Sequence, residues 1–311
     1  MKRWIFALVG CCALPLGAAT LTFQPRELFR VPFGKNRDTL AARVDGGNLI
    51  IPRGFTMDQV GHFFLYDLNN HRIARFSDHG RFEMEFKYVP TARQVFAHPD
   101  GQQNLWMLVS DPERGAFYGV YSPTGKRLRE GLFTKYNHFD FHVDDDGRLR
   151  VTLSAASAAV PSQAFVLDET TLLMKKLNAA RPPESHHEIR KNDRVYSVDP
   201  VPGGMSGSVP VARIRDDAHH GVADIVGTVI YTTAGGDIYT RVGPRELRVY
   251  AVDGALKGRV QLVGLPASCA SIRFDAEGNI YELDGIPDAD GQYGESMPGM
   301  RLLQWQRSDE R

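Results

Sequence analysis

Cysteine is scarce in this chain: three in 311 residues, at positions 11, 12 and 269. With two of them inside the first twenty residues, no internal disulfide framework is available, and stability must come from a packed core. Cys269, beside Ala270-Ser271-Ile272 at a strand start, reads as a buried, inert thiol. Neither sign of charge dominates, since Lys+Arg and Asp+Glu are both 37. That balance argues against nucleic acid as a partner, because phosphate binding needs cations in excess on one face. Arg241, Arg245 and Arg248 read as a solvated strand edge. Beyond the leader, no apolar run approaches the ~18 residues that a transmembrane helix needs. Specific catalytic motifs are missing too. No His-Glu-x-x-His is present, and Pro202-Gly203-Gly204-Met205-Ser206-Gly207-Ser208 is neither a phosphate loop nor a Gly-x-Ser-x-Gly elbow.

Residues 1–19 have the build of a signal peptide. Lys2 and Arg3 form a basic start, Trp4 to Leu16 an apolar stretch, and Gly17 and Ala19 the small residues of a cleavage site. Cleavage after Ala19 leaves a single domain, 20–311, in a periplasmic or secreted location. Leu8-Val9-Gly10-Cys11 also resembles the lipobox of bacterial lipoproteins, so the alternative is an envelope protein with a lipid anchor at Cys11.

Thirty glycines, 18 prolines and 42% hydrophobic residues suit a turn-rich all-β protein with a real core. A turn leading into a strand recurs at Gly61, Gly101, Gly147, Asp193, Gly236 and Gly278, in steps of about 40–46 residues, the length of a four-stranded propeller blade. Apolar strands running into Gly turns form the second half of each unit, as in Ala74–Gly80, Gly119–Gly125 and Leu247–Gly254. Phe139–Val143 and Ser271–Phe274 read as inner strands lining an axis. The last unit lacks an outer strand, which Thr20–Phe23 or Leu28–Val31 can supply from the other end of the chain. The fold expected is therefore a six-bladed β-propeller of four-stranded antiparallel blades, closed by an N-terminal strand. The Pro-, Gly- and His-rich segment between Arg181 and Asp224 alternates poorly and reads as a degenerate fourth blade with a long excursion over one face. The Gly-rich run inside it reads as a flexible loop over the propeller mouth.

The run Asp67-Leu68-Asn69-Asn70-His71-Arg72-Ile73, followed by Phe76 and Gly80, resembles an NHL repeat, with Asn-His-Arg at the naming positions. Gly278–Asp284 is similar to the preceding strand of that repeat. Leu28–Gly34 and Gly46–Pro52 resemble exported bacterial members of this six-bladed type. The resemblance implies a fold and leaves function wide. Family members include interaction scaffolds and a zinc-dependent amidating lyase, and related six-bladed folds include divalent-metal lactonases.

Two sets of candidate ligands stand out. His138 and His142 flank a probable inner strand, and His186-His187 and His219-His220 are adjacent pairs; His142, His187 and His220 are the three to test for zinc. Asp284, Asp288 and Asp290, with Glu295, surround Gly291 and offer the oxygen ligands that suit calcium, although the full twelve-residue EF-hand pattern is absent. Asp144-Asp145-Asp146-Gly147 is most simply a strand turn. Two functional readings follow. The first is an exported, monomeric binding module that recognises a protein or small ligand through loops 181–224 and 284–299. The alternative is a metal-dependent lyase or hydrolase, lactonase-like or amidating-lyase-like, with a divalent ion near the axis.

Overall fold

The computed structural model describes residues 21–46, 48–52, 54–143, 149–155, 161–177, 187–191, 194–263 and 271–309. Among them every regular element except the 3-10 turn Leu68–Asn70 is a β-strand. Four antiparallel meanders follow one another. The first is Phe55–Met57, Phe63–Asp67, Arg72–Phe76 and Phe82–Lys87; the second is Gln94–Pro99, Leu105–Asp111, Gly115–Tyr121 and Arg127–Phe133. The third is His138–Val143, Leu149–Ser154, Gln163–Asp168 and Leu173–Lys176; the fourth is His187–Lys191, Arg194–Ser206, Val209–Arg215 and Gly221–Val226. An eight-stranded sheet takes the order Thr228–Thr232, Ile238–Arg241, Glu246–Tyr250, Leu256–Gln261, Leu21–Pro32, Gly299–Asp309, Ile280–Gly285 and Ser271–Phe274. First strands of neighbouring meanders touch: Phe55–Met57 contacts both Gln94–Pro99 and Ser271–Phe274. They surround a common axis, and the architecture is a β-propeller.

Local chemistry explains the repeat. Four of the turns into a second strand are built on a side chain that accepts hydrogen bonds from the backbone ahead of it. Asp58 accepts from the amides of Val60 (3.0 Å) and His62 (2.8 Å). Asp100 accepts from those of Gln102 (2.9 Å) and Asn104 (2.8 Å), and Asp275 from that of Asn279 (2.8 Å). Thr233 plays the same part for Asp237 (3.1 Å). The residue after the turn's apex needs positive φ. At Gly278 (φ +84) a Cβ would also fall 2.6 Å from the Tyr239 hydroxyl, so only glycine fits.

The most distinctive run in the sequence is structural. Asp67 is fully buried and accepts from the amide of Ala41 (3.1 Å), Asn70 Nδ2 (2.7 Å) and Arg72 Nε (2.8 Å). Arg72, also buried, donates onward to Glu85 (2.7 Å) and to the carbonyls of Arg37 (3.0 Å) and Thr39 (2.5 Å). Asn69 donates to the carbonyls of Ala41 and Ile50, both at 3.0 Å. The turn thus fastens segment 37–50 to the first meander.

Closure runs through the chain ends. Leu21–Pro32 pairs antiparallel with Gly299–Asp309, from Leu21 opposite Asp309 to Pro32 opposite Gly299. Leu28–Val31 and most of Thr20–Phe23, separate candidates in the sequence, belong to this one strand; Thr20 lies outside the described residues. The strand's outer edge meets Leu256–Gln261 in parallel at Leu21 opposite Gly258. Gly258 is required there, since a Cβ would sit 2.7 Å from the Leu21 carbonyl oxygen. Phe29 carries the strand into the core, packing its ring 5.6 Å from that of Phe63 and 6.2 Å from that of Phe76.

One expectation needs correction. Of the segment 181–224, residues 187–191 and 194–224 form, with Ile225 and Val226, the fourth four-stranded unit that the repeat predicts, and the excursion expected there is a paired β-hairpin. Arg194–Ser206 and Val209–Arg215 are joined by a hairpin that re-pairs at Met205 opposite Pro210 after a register break. The Gly-rich run is thus the tip of a β-hairpin. Its prolines and glycines interrupt the alternation that marks the other strands, and paired backbone replaces that signal.

Asp67→Ala leaves a buried guanidinium without one of its carboxylates and should cost about 3–5 kcal/mol of stability. Urea unfolding followed by tryptophan fluorescence measures this, and an unchanged midpoint would mean that the ion pair is not holding the turn.

Candidate functional site

Neighbouring strands run antiparallel, so the turns from first to second and from third to fourth strands gather at one end of the ring. The other connections, including 33–54, 286–298 and the Pro200–Pro210 hairpin, gather at the opposite end. Between the two ends lie the innermost strands.

Five polar or aromatic residues hold equivalent register positions on those strands. Thr56, His98, His142, Tyr231 and Arg273 stand opposite Phe64, Trp106, Arg150, Tyr239 and Tyr281. Thr56, His98, Tyr231 and Arg273 lie two residues before the turn-forming Asp58, Asp100, Thr233 and Asp275, and His142 lies two before Asp144 in the sequence. Burial holds the His98 imidazole down at about 4, against an opposing pull from Asp100, so the ring is neutral at neutral pH. The ring stacks on Phe96 (6.5 Å), and Phe96 in turn stacks on Phe141 of the neighbouring inner strand. Phe141 is 43% exposed, unusual for an aromatic on an inner strand, and it offers an apolar face there. Arg273 sets its guanidinium 5.7 Å from the Phe55 ring centre and donates to the Ile272 carbonyl (2.7 Å). It also lies beside Tyr66, whose pKa burial raises and Arg273 opposes. The Tyr66 hydroxyl donates to the carbonyl of Ala97 (3.1 Å) and accepts from its amide (3.0 Å). Tyr231 stacks on Phe274 at 4.5 Å and donates to the Asp275 carbonyl (2.9 Å).

The residues singled out in the sequence are scattered across the fold. His142 occupies the fifth position of the inner strand His138–Val143; its side chain lies outside the described ones. His187 opens the inner strand His187–Lys191, at the opposite end of the axis from His142, and its side chain likewise lies outside. His220 sits at an outer turn, 81% exposed, with Nδ1 3.6 Å from Asp216. Asp284 is buried at the end of Ile280–Gly285 and accepts from Arg301 at 2.7 and 2.9 Å. Asp288 accepts from the amides of Asp290 (3.0 Å) and Gln292 (2.8 Å) and from the Ser296 hydroxyl, whose bond holds its carboxyl below the usual range. Asp290 points into solvent. The structure therefore brings neither triplet together, and among the described residues no group of three His, Cys, Asp or Glu is placed to hold a metal ion. The leader with Cys11 and Ala19, the Asp144–Gly147 turn, His186 and Cys269 lie outside the described residues.

His98 is not among the histidines that the sequence motifs single out. The available signal was spacing: His98-Pro99-Asp100 and His142-Val143-Asp144 share one His-x-Asp pattern at the ends of equivalent inner strands.

No family model matches the chain, and no curated protein does. Solved structures of similar fold exist. The PQQ-bound aldose sugar dehydrogenase from Streptomyces coelicolor is 10% identical over 94% of this chain and 100% of its own, with a TM-score of 0.50. A gluconolactonase from Xanthomonas campestris is 13% identical over 90% and 99%, with a TM-score of 0.44. Regucalcin from Agrobacterium tumefaciens, a calcium-binding protein, is 14% identical over 94% and 97%, also at 0.44.

The depressed His98 pKa carries a pH signature. The unfolded chain takes up this proton near 6.5, the folded protein only near about 4. The stability held by the neutral ring is complete above about 6.5 and is lost as pH falls toward about 4. Urea midpoints from pH 7 to 4.5 should fall more steeply for the wild type than for His98→Gln, and equal slopes would show that His98 titrates normally.

Proposed function

We propose that the protein is an exported six-bladed propeller of the NHL-repeat type that acts on a small polar molecule at its inner strands, as a divalent-metal-dependent lyase or hydrolase. The blade count rests on dividing the eight-stranded sheet between Leu256–Gln261 and Leu21–Pro32, which share a single paired position, Leu21 with Gly258. The observation that carries the chemistry is the level shared by His98 and His142. Their inner strands belong to successive meanders, and burial keeps His98 in the neutral form that ligates metal. Nitrogen donors suit zinc better than calcium. The Arg273 guanidinium at the same level can hold a carboxylate or stabilise a developing oxyanion. The name borne by one protein of similar fold, a sugar dehydrogenase, accords with small-molecule chemistry. The leader supports a periplasmic or secreted location, with a lipidated Cys11 as the alternative, and a closed ring supports a monomer.

A binding module is the second reading, and the Pro200–Pro210 hairpin favours it. The hairpin carries no charged residue, and Met205 at its tip is 55% exposed.

Elemental mass spectrometry separates the two readings. The protein is exported to a periplasm and purified without chelator or His-tag. About one zinc per chain is expected, lost in both His98→Ala and His142→Ala together with turnover of lactones or amidated-peptide precursors. A metal-free, folded protein inactive on both substrate classes would sink the enzyme and leave the binding module.

A further inference from the structure

A second site lies off the axis. Between the turns Thr233–Asp237 and Asp275–Asn279 opens a cleft of about 510 Å³, lined by Thr233, Asp237, Lys257, Ala276, Glu277 and Arg307 among others. That volume falls within the range of small-molecule sites. No residue of the inner-strand level described above contributes to it, so it is separate from the proposed metal site.

Its floor is organised around Asp237, which is buried. Lys257 Nζ reaches one oxygen at 2.6 Å and Arg307 Nη1 the other, also at 2.6 Å. Behind them Tyr239, its hydroxyl donating to the Gly278 carbonyl (2.8 Å), has its pKa pushed up to about 12 by burial and remains a neutral phenol. Glu277 stands exposed at the rim. Lys257 and Arg307 against Asp237 and Glu277 sum to zero charge. The lining therefore favours no net charge in its ligand. It does offer hydrogen-bonding capacity. The Lys257 ammonium carries three N–H groups and gives one to Asp237. Thr233 Oγ1 accepts from the Asp237 amide and keeps its own proton to donate. Glu277 adds acceptors. None of the six lining side chains named is aromatic or large and apolar.

We infer that this cleft binds a neutral, polyhydroxylated small molecule of monosaccharide size, with hydroxyl groups accepting from Lys257 and Thr233 and donating to Glu277. A carboxylate of similar size fits less well, because Asp237 and Glu277 cancel the two cations.

Saturation-transfer NMR with glucose and ribose as neutral probes and glycerate as the anionic one tests this on the full mature chain. Saturable sugar binding is expected, with Kd on the order of 1–10 mM and tighter than for glycerate. Ala276 is exposed at the cleft, so Ala276→Trp should abolish sugar binding and leave the urea midpoint unchanged. Glu277→Gln should weaken it roughly 3- to 10-fold through a poorer acceptor. His98→Ala should leave sugar binding intact even where it removes metal, which keeps this inference independent of the proposed enzyme. Absence of saturable sugar binding, a preference for glycerate, or binding indifferent to Ala276→Trp would each overturn it.

Discussion

Everything in this ring depends on one antiparallel pairing, that of Leu21–Pro32 with Gly299–Asp309. A propeller of separate sheets has two raw ends, each an unpaired strand edge open to other chains. Here the first strand completes the last sheet and brings Phe29 into the cluster formed by Phe55, Phe63 and Phe76 of the first meander. Leu302, two residues along the partner strand from Met300, enters the same cluster. The pairing therefore seals two neighbouring sheets together, and hydrogen bonding and apolar burial are satisfied at one place. Trp305 tightens the partner strand by donating from its indole nitrogen to the buried Glu282 (3.0 Å).

Rings between sheets do the remaining work of orientation. Tyr66 crosses from the first meander to the backbone of Ala97 in the second, and Tyr239 and Tyr231 cross to the turn at Asp275–Gly278. Each hydroxyl is anchored to main chain of the next meander or of the other half of the eight-stranded sheet, and the Phe139 amide, donating to Gln94 Oε1 (3.2 Å), ties the third meander to the second, so these inner strands are fixed in height relative to their neighbours. That shared height gives meaning to the alignment of Thr56, His98, His142, Tyr231 and Arg273. Without such crosslinks, equal register within each sheet would say nothing about level between sheets.

Much of the fold was legible because its signals are local. Asp58, Asp100 and Asp275 make turns with residues two to four positions away, and glycine or a polar residue follows at the strained position, so each turn can be read from a short window. The borrowed outer strand was legible from a deficit, the missing fourth strand after Met300–Trp305. The fourth meander was obscured because Pro200, Pro202 and Pro210 break alternation while the pairing survives around them. The candidate site was harder to see. His142, His187 and His220 look alike as letters, but their distance in space is set by position along a strand and by which end of the ring a turn occupies. Asp284 and Asp288 looked like ligands because chemistry alone does not reveal that Arg301 and backbone amides already hold them. The most conspicuous motif, Asp67–Phe76, proved to be an internal fastening, its side chains consumed by segment 37–50.

Closing a ring with its own first strand also sets the order of assembly. Residues 21–32 leave the ribosome well before their partner, 299–309. At about 5–20 residues per second, the intervening chain takes on the order of 15–55 s to appear. During that time the meanders can form from near-neighbour contacts, while the N-terminal segment, Phe29 and Val31 included, waits without a partner. The nascent protein thus carries an unpaired strand edge, with Phe29 and Val31 uncovered, until residues 299–309 emerge, and in that interval the open edge can pair with another chain.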